Sequence, residues 1–204
     1  MPTQAMPLSP QELTAYQEQG YLIRPGVFST HEIEHLGAAV EAAVDVADQE
    51  VAQGETYFLD GKRFVDTHQC TVQFEHTPES NTVRVIEPVH VLHPSLNALL
   101  DDPRLVVPMQ QIIGQQDLAL WTAKLNLKRP RQGSGFGWHQ DSPYWIHDCT
   151  HVDLLPNVML ALDAQTQANG CFEVIAGSHQ HGMLPGTADG SQLGGFFTDP
   201  NAFD

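Results

Sequence analysis

The sequence predicts an α+β fold in which helices pack against an antiparallel sheet. Capped helices with periodic apolar faces occupy the first half of the chain, and most of the strand-like residues occupy the second. No internal repeat, low-complexity segment or composition break interrupts the 204 residues, so one domain with a substantial core is expected over 1–204.

The first helix opens at Ser9, with Pro10 at its first position and Glu12 completing a capping box, and it stops at Gly20. Tyr21 to Arg24 then reads as a short strand. A second capping box, Ser29-Thr30-His31-Glu32, starts a helix running to about Glu50. Its apolar residues Ile33, Leu36, Val40 and Val44 recur at spacings of three and four and define a buried face.

Thr56 to Leu59 and Arg63 to Asp66 flank Asp60-Gly61, a strong hairpin signal. Cys70 to Glu87 is polar and takes no assignment. Pro94 to Leu100 and Pro103 to Ile113 read as helices, the second ended by Gly114. Strands are expected at Leu118 to Leu127, Asn157 to Leu162 and Cys171 to Ile175. Arg129 to Gly137 is a Pro/Gly/Ser-rich loop, and Gly186 to Asp204 reads as loop too.

Composition narrows the function classes. Nine basic against 25 acidic residues give a net charge of −16. That balance argues against a nucleic-acid partner, which needs clustered Lys and Arg, and against an anionic membrane. No apolar run approaches the roughly 18 residues of a membrane span. Met1 to Ser9 lacks the basic start and apolar stretch of a signal peptide. Cys70, Cys149 and Cys171 are odd in number and irregularly spaced, which suggests reduced thiols in a cytoplasmic protein.

The chemistry concentrates in Gly135-Phe136-Gly137-Trp138-His139-Gln140-Asp141-Ser142-Pro143-Tyr144-Trp145. On an extended backbone, residues two apart project from one side. His139 and Asp141 can therefore offer an imidazole nitrogen and a carboxylate oxygen to one metal ion, as in the facial triad of non-haem iron oxygenases. The tripeptide alone is common by chance; the Gly-rich lead-in and flanking aromatics make it informative. Trp138, Tyr144 and Trp145 either wall a dry substrate pocket or are ordinary core aromatics.

The pattern resembles the phytanoyl-CoA dioxygenase family of Fe(II)/2-oxoglutarate-dependent oxygenases. Four stretches carry the resemblance: Leu13 to Gly20 followed by Tyr21-Leu22-Ile23; Lys124-Leu125-Asn126-Leu127-Lys128 with Pro130; Trp138-His139-Gln140-Asp141-Ser142-Pro143; and Asn169-Gly170-Cys171 followed by Ile175-Ala176-Gly177-Ser178-His179. They span nearly the whole chain in the family's order. The resemblance implies a double-stranded β-helix, a jelly-roll-like barrel, wrapped by N-terminal helices. It also implies Fe(II) as cofactor and 2-oxoglutarate and O₂ as co-substrates, with hydroxylation of a small-molecule substrate. His139 and Asp141 would be iron ligands, with Asn126 beside 2-oxoglutarate and Lys124 and Phe136 nearby. Alternation independently puts Thr122, Lys124 and Asn126 on one strand face, directed either into a barrel or to solvent. Related halogenating enzymes replace the carboxylate ligand with a small residue, so Asp141 favours hydroxylation or a related oxidation.

The family places a distal histidine and a basic 2-oxoglutarate clamp well beyond its Gly-Ser-His segment, whereas no arginine follows Arg131. The resemblance therefore implies a chain lacking the C-terminal part of the domain. His179 and His181 are the nearest substitutes, although His179 matches a family position that is not a ligand. His147, Cys149 and His151 have zinc-like spacing but poor helical propensity between them. His31 and His35 read as a solvated pair, His90 and His93 carry no clear message, and Cys171 reads as core. Two rival functions are a non-catalytic jelly-roll binding or scaffold protein and, with less support, a zinc hydrolase.

Overall fold

The structure, a computed structural model, describes residues 4–59, 61–77, 79–184, 186–187 and 197–198. They fall into two units. One takes its described residues from Phe28–Asp101 and Ala119–Gly135. The other takes them from Met1–Val27, Asp102–Leu118 and Phe136–Asp204.

The first unit begins with α1's successor in sequence, helix α2 (Thr30–Val51). Helix α1 itself (Pro10–Gln19) belongs to the second unit. The α2 capping box is present in full: the Ser29 hydroxyl accepts from Glu32 N, and the Glu32 carboxylate accepts from Ser29 N. Leu36, Ala39, Val40, Ala43, Val44 and Ala47 form its buried face. Small residues at every second contact let the helix lie close to the sheet it covers.

That sheet is antiparallel and five-stranded, in the order β1-β2-β3-β4-β5: Glu55–Leu59, Lys62–Asp66, Thr71–Phe74, Val83–Glu87 and Leu125–Asn126. Leu59 opposes Lys62, which leaves a two-residue hairpin loop. Gly61 takes φ +72 there, while Asp60 lies outside the described residues. Strands β3 and β4 fill the stretch that took no assignment from sequence. β3 alternates but has only four residues, and β4 is buried on both faces, so its period-2 signal vanishes. Val65, Val72, Phe74 and Ile86 are almost wholly removed from solvent. Helix α3 (Pro94–Asn97) is one turn, continued by a 3₁₀ turn over Ala98–Asp101, so the expected helix from Pro94 to Leu100 is partly 3₁₀.

In the second unit, α1 and α4 (Pro103–Ile113) match expectation, with Gly20 and Gly114 in the left-handed conformation at their ends. Helix α5 (Ser142–Trp145) is one turn. Gly186–Thr187 (β6) pairs antiparallel with Phe197–Thr198 (β7), which corrects the loop expectation for these residues. The rest of 188–204 lies outside the described residues.

Several expected strands are corrected. Tyr21–Arg24 joins no ladder; instead the Arg24 guanidinium donates to Glu12 and to the carbonyls of Met6 and Pro7. Of Leu118–Leu127, only Leu125–Asn126 pairs as strand, although Ala123 O and Leu127 N also bond to the neighbouring segment at Val89 and Arg84. Asn157–Leu162 and Cys171–Ile175 form no strand. Both have strand-like composition, but a strand exists only through a partner's hydrogen bonds. Met159 and Phe172 stand 55% and 61% exposed, as expected of segments that no described strand flanks.

Candidate metal centre

The loop ahead of the His-x-Asp segment is held from within the first unit. Arg131 adopts φ +65, and Gly133 folds so tightly on Lys128 that a Cβ there would meet its backbone at 2.8 Å. Beyond this turn, Arg84 reaches Ser134 O at 3.0 Å and Gly135 O at 2.8 Å. Glu75 accepts from Ser134 N at 3.2 Å and from its hydroxyl at 2.5 Å. Arg84 and Glu75 are themselves ion-paired at 3.4 Å and almost fully buried. Burial lowers the Arg84 pKa from its ordinary value, and the Glu75 charge opposes the shift.

In the second unit, the residues of the motif alternate. Gln140 points away from the ligand pair, donating to Gly182 O and accepting from Leu184 N, both at 2.8 Å. The Trp138 carbonyl accepts from Thr198 N at 2.9 Å. His139 and Asp141 face each other, with Nε2 to Oδ1 at 3.4 Å and both side chains partly accessible. His139 Nδ1 lies 2.8 Å from Gly137 O. A carbonyl only accepts, so Nδ1 carries the proton and a neutral ring has its lone pair on Nε2, the atom turned to Asp141. Asp141 Oδ2 accepts from Asn157 Nδ2 at 2.9 Å.

A divalent ion suits this pair. Imidazole nitrogen and carboxylate oxygen belong to the ligand set of non-haem iron. Two donors each about 2.1 Å from one ion lie about 3.0 Å apart at a right angle and about 3.4 Å apart at a tetrahedral angle. A lone pair facing a carboxylate at 3.4 Å also calls for a cation between them, whether a proton or a metal. Among the described residues no group of three or more His, Cys, Asp or Glu is placed to hold a metal.

Asp141 O accepts from Tyr144 N at 3.0 Å as the chain turns into α5, where Pro143 suits the first turn. The Tyr144 ring meets the His139 imidazole edge-on, with centroids 6.3 Å apart. Burial first, then the Asp141 charge, raises the Tyr144 pKa, so the phenol stays neutral. Trp145 is partly buried on the same turn, whereas Phe136 and Trp138 are exposed. Lys124 and Asn126 belong to the first unit. Lys124 pairs with Glu87 at 3.3 Å, and Thr122 Oγ1 also bonds to Glu87, so these two polar residues share a side.

Three other histidines find structural partners. His179 Nε2 donates to Gln17 O at 2.9 Å, Gln180 Nε2 to Glu18 O, and Gly177 N to Gln19 O. The Gly-Ser-His segment thus caps the carbonyl end of α1. His93 Nδ1 caps α3 by accepting from Ser95 N, and exposed His35 meets the Ser95 hydroxyl. The three cysteines are unbridged. Asn157 was missed as a partner of Asp141: nothing in an Asn at the head of a strand-like run reveals that it reaches a carboxylate 16 positions upstream.

The sequence profile of the phytanoyl-CoA dioxygenase (PhyH) family matches residues 16–194, and the chain belongs to that family. Among its relatives is an ectoine dioxygenase of Bordetella parapertussis, 30% identical over 179 residues, covering 85% of this chain and 50% of the relative. An L-proline trans-4-hydroxylase of Streptomyces griseoviridis is 32% identical over 110 residues, covering 53% and 41%. An ectoine dioxygenase of Halomonas elongata is 25% identical over 175 residues, covering 85% and 47%. The chain thus spans about half the length of the curated relatives it matches. The names of these relatives are those of dioxygenases and a hydroxylase. No helix of the described residues is long and apolar enough to cross a membrane.

Proposed function

We propose that this chain carries the His139–Asp141 part of the iron centre of an Fe(II)/2-oxoglutarate-dependent dioxygenase, on a double-stranded β-helix scaffold, that hydroxylates a small organic substrate in the cytoplasm. The observation that carries the reading is the His139 ring, whose Nδ1 is committed to Gly137 O so that Nε2 turns toward Asp141 Oδ1 at 3.4 Å. Names of relatives that act on ectoine and L-proline support a small substrate.

Bound Fe(II) with 2-oxoglutarate and O₂ supplies the oxidising chemistry, yielding succinate, CO₂ and an oxygenated substrate. His139 and Asp141 would hold the ion through Nε2 and Oδ1, the atoms that face each other. Their tie to Gly137 and Asn157 keeps the donor atoms oriented before the metal arrives. The family resemblance assigns Lys124, Asn126 and Phe136 to the co-substrate. Trp138, Tyr144 and Trp145 serve the substrate, Tyr144 as a neutral phenol that can donate a hydrogen bond.

An anaerobic titration with Fe(II) and 2-oxoglutarate tests this. The expected result is the weak visible charge-transfer band of the chelate, lost in both His139→Ala and Asp141→Ala. A band unchanged in the two variants, or none in the wild-type chain, would overturn the assignment.

A further inference from the structure

We infer that Asn157 is a positioning residue of this centre, holding one oxygen of Asp141 so that the other alone is presented to the metal. The inference rests on the metal reading above and concerns how the carboxylate binds. A carboxylate free to turn about its Cβ–Cγ bond can present either oxygen, or both at once. Here Oδ2 accepts from Asn157 Nδ2 at 2.9 Å, while Oδ1 lies 3.4 Å from His139 Nε2. An ionised carboxylate only accepts, so the amide nitrogen must be the group turned to it.

The arrangement mirrors that of His139. In each ligand one polar atom is tied to the protein, by Gly137 O in one case and Asn157 Nδ2 in the other, and the second atom faces the shared position. Such outer partners set ligand orientation and basicity. Among the described residues, Asn157 has no competing structural task. It is exposed, belongs to no helix or strand, and is not part of the core. The hydrogen bond to Asp141 also draws negative charge off Oδ2, which would disfavour binding through both oxygens.

The test is an anaerobic Co(II) titration of the full chain, read by visible absorption, for wild type, His139→Ala, Asn157→Leu and Asn157→Ala. Leu keeps the size of the amide without its donor, and Ala guards against effects of an added apolar surface. Both Asn157 variants should bind Co(II) about 10- to 100-fold more weakly. They should also shift the band, with far-UV circular dichroism and thermal midpoint of the metal-free protein unchanged. Wild-type affinity and band shape in both would overturn the role of Asn157 and leave the metal reading standing. Absence of any Co(II) band in the wild type would overturn both.

Discussion

Glu75 and Arg84 meet at 3.4 Å in the interior of the sheet unit, and both grip Ser134, 50 and more positions further along the chain. An ion pair this deeply buried contributes little net stability against an apolar alternative. Its value here is geometric: it fixes Ser134 and Gly135, the residues that lead into the His139–Asp141 segment.

Removing one partner strands the other. Glu75→Ala removes the carboxylate paired with the buried Arg84 cation and is expected to cost about 3–5 kcal/mol. Ser134→Ala, which removes only hydroxyl bonds to charged partners, should cost about 1.5–3 kcal/mol. Urea unfolding midpoints check the order; equal midpoints for Glu75→Ala and wild type would refute the role given to the pair.

A pH effect follows from His76. Burial foremost, then the Arg84 and Lys62 charges, lower its pKa from the ordinary 6.5, with Glu75 opposing. The unfolded chain therefore takes up a proton that the folded one resists. The stability contributed by the neutral ring is present above the unfolded value and is lost as pH falls through the folded one. Thermal midpoints of His76→Gln should fall less steeply than wild type on acidification from about pH 7 to about pH 5. Parallel curves would count against it.

Two glycines separate conformational strain from crowding. Gly61 has φ +72 with open space where a Cβ would stand, so Gly61→Ala meets strain alone, about 1–2 kcal/mol. Gly20 has φ +81, and its Cβ would lie 2.3 Å from His179 Nδ1. Gly20→Ala must also push His179 off the end of α1, breaking its bond to Gln17 O. Its loss of stability should exceed that of Gly61→Ala in thermal unfolding.

Much of the helical half was legible because its signals are local. Ser9-to-Glu12 and Ser29-to-Glu32 close within one turn, and both form as the residues dictate. The hairpin around Gly61 is equally local. Strand β4 was not legible, because Val83, Arg84, Val85 and Ile86 are all buried and a charged residue sits among them. Nothing near Arg84 in sequence announces that Glu75 and Ser134 will receive it.

The sequence by itself determined helices α1, α2 and α4, the hairpin and the pairing of His139 with Asp141, since each depends on residues within a few positions of one another. Only the tertiary structure decided which strand-like runs became strands, because a ladder needs a distant partner: β5 found β4, whereas 157–162 and 171–175 pair with no described strand. It likewise decided that Asn157 serves Asp141 and that His179 serves the end of α1. Hydrogen bonds between segments far apart in the chain are set by where the fold carries them, and residue type alone does not encode that meeting.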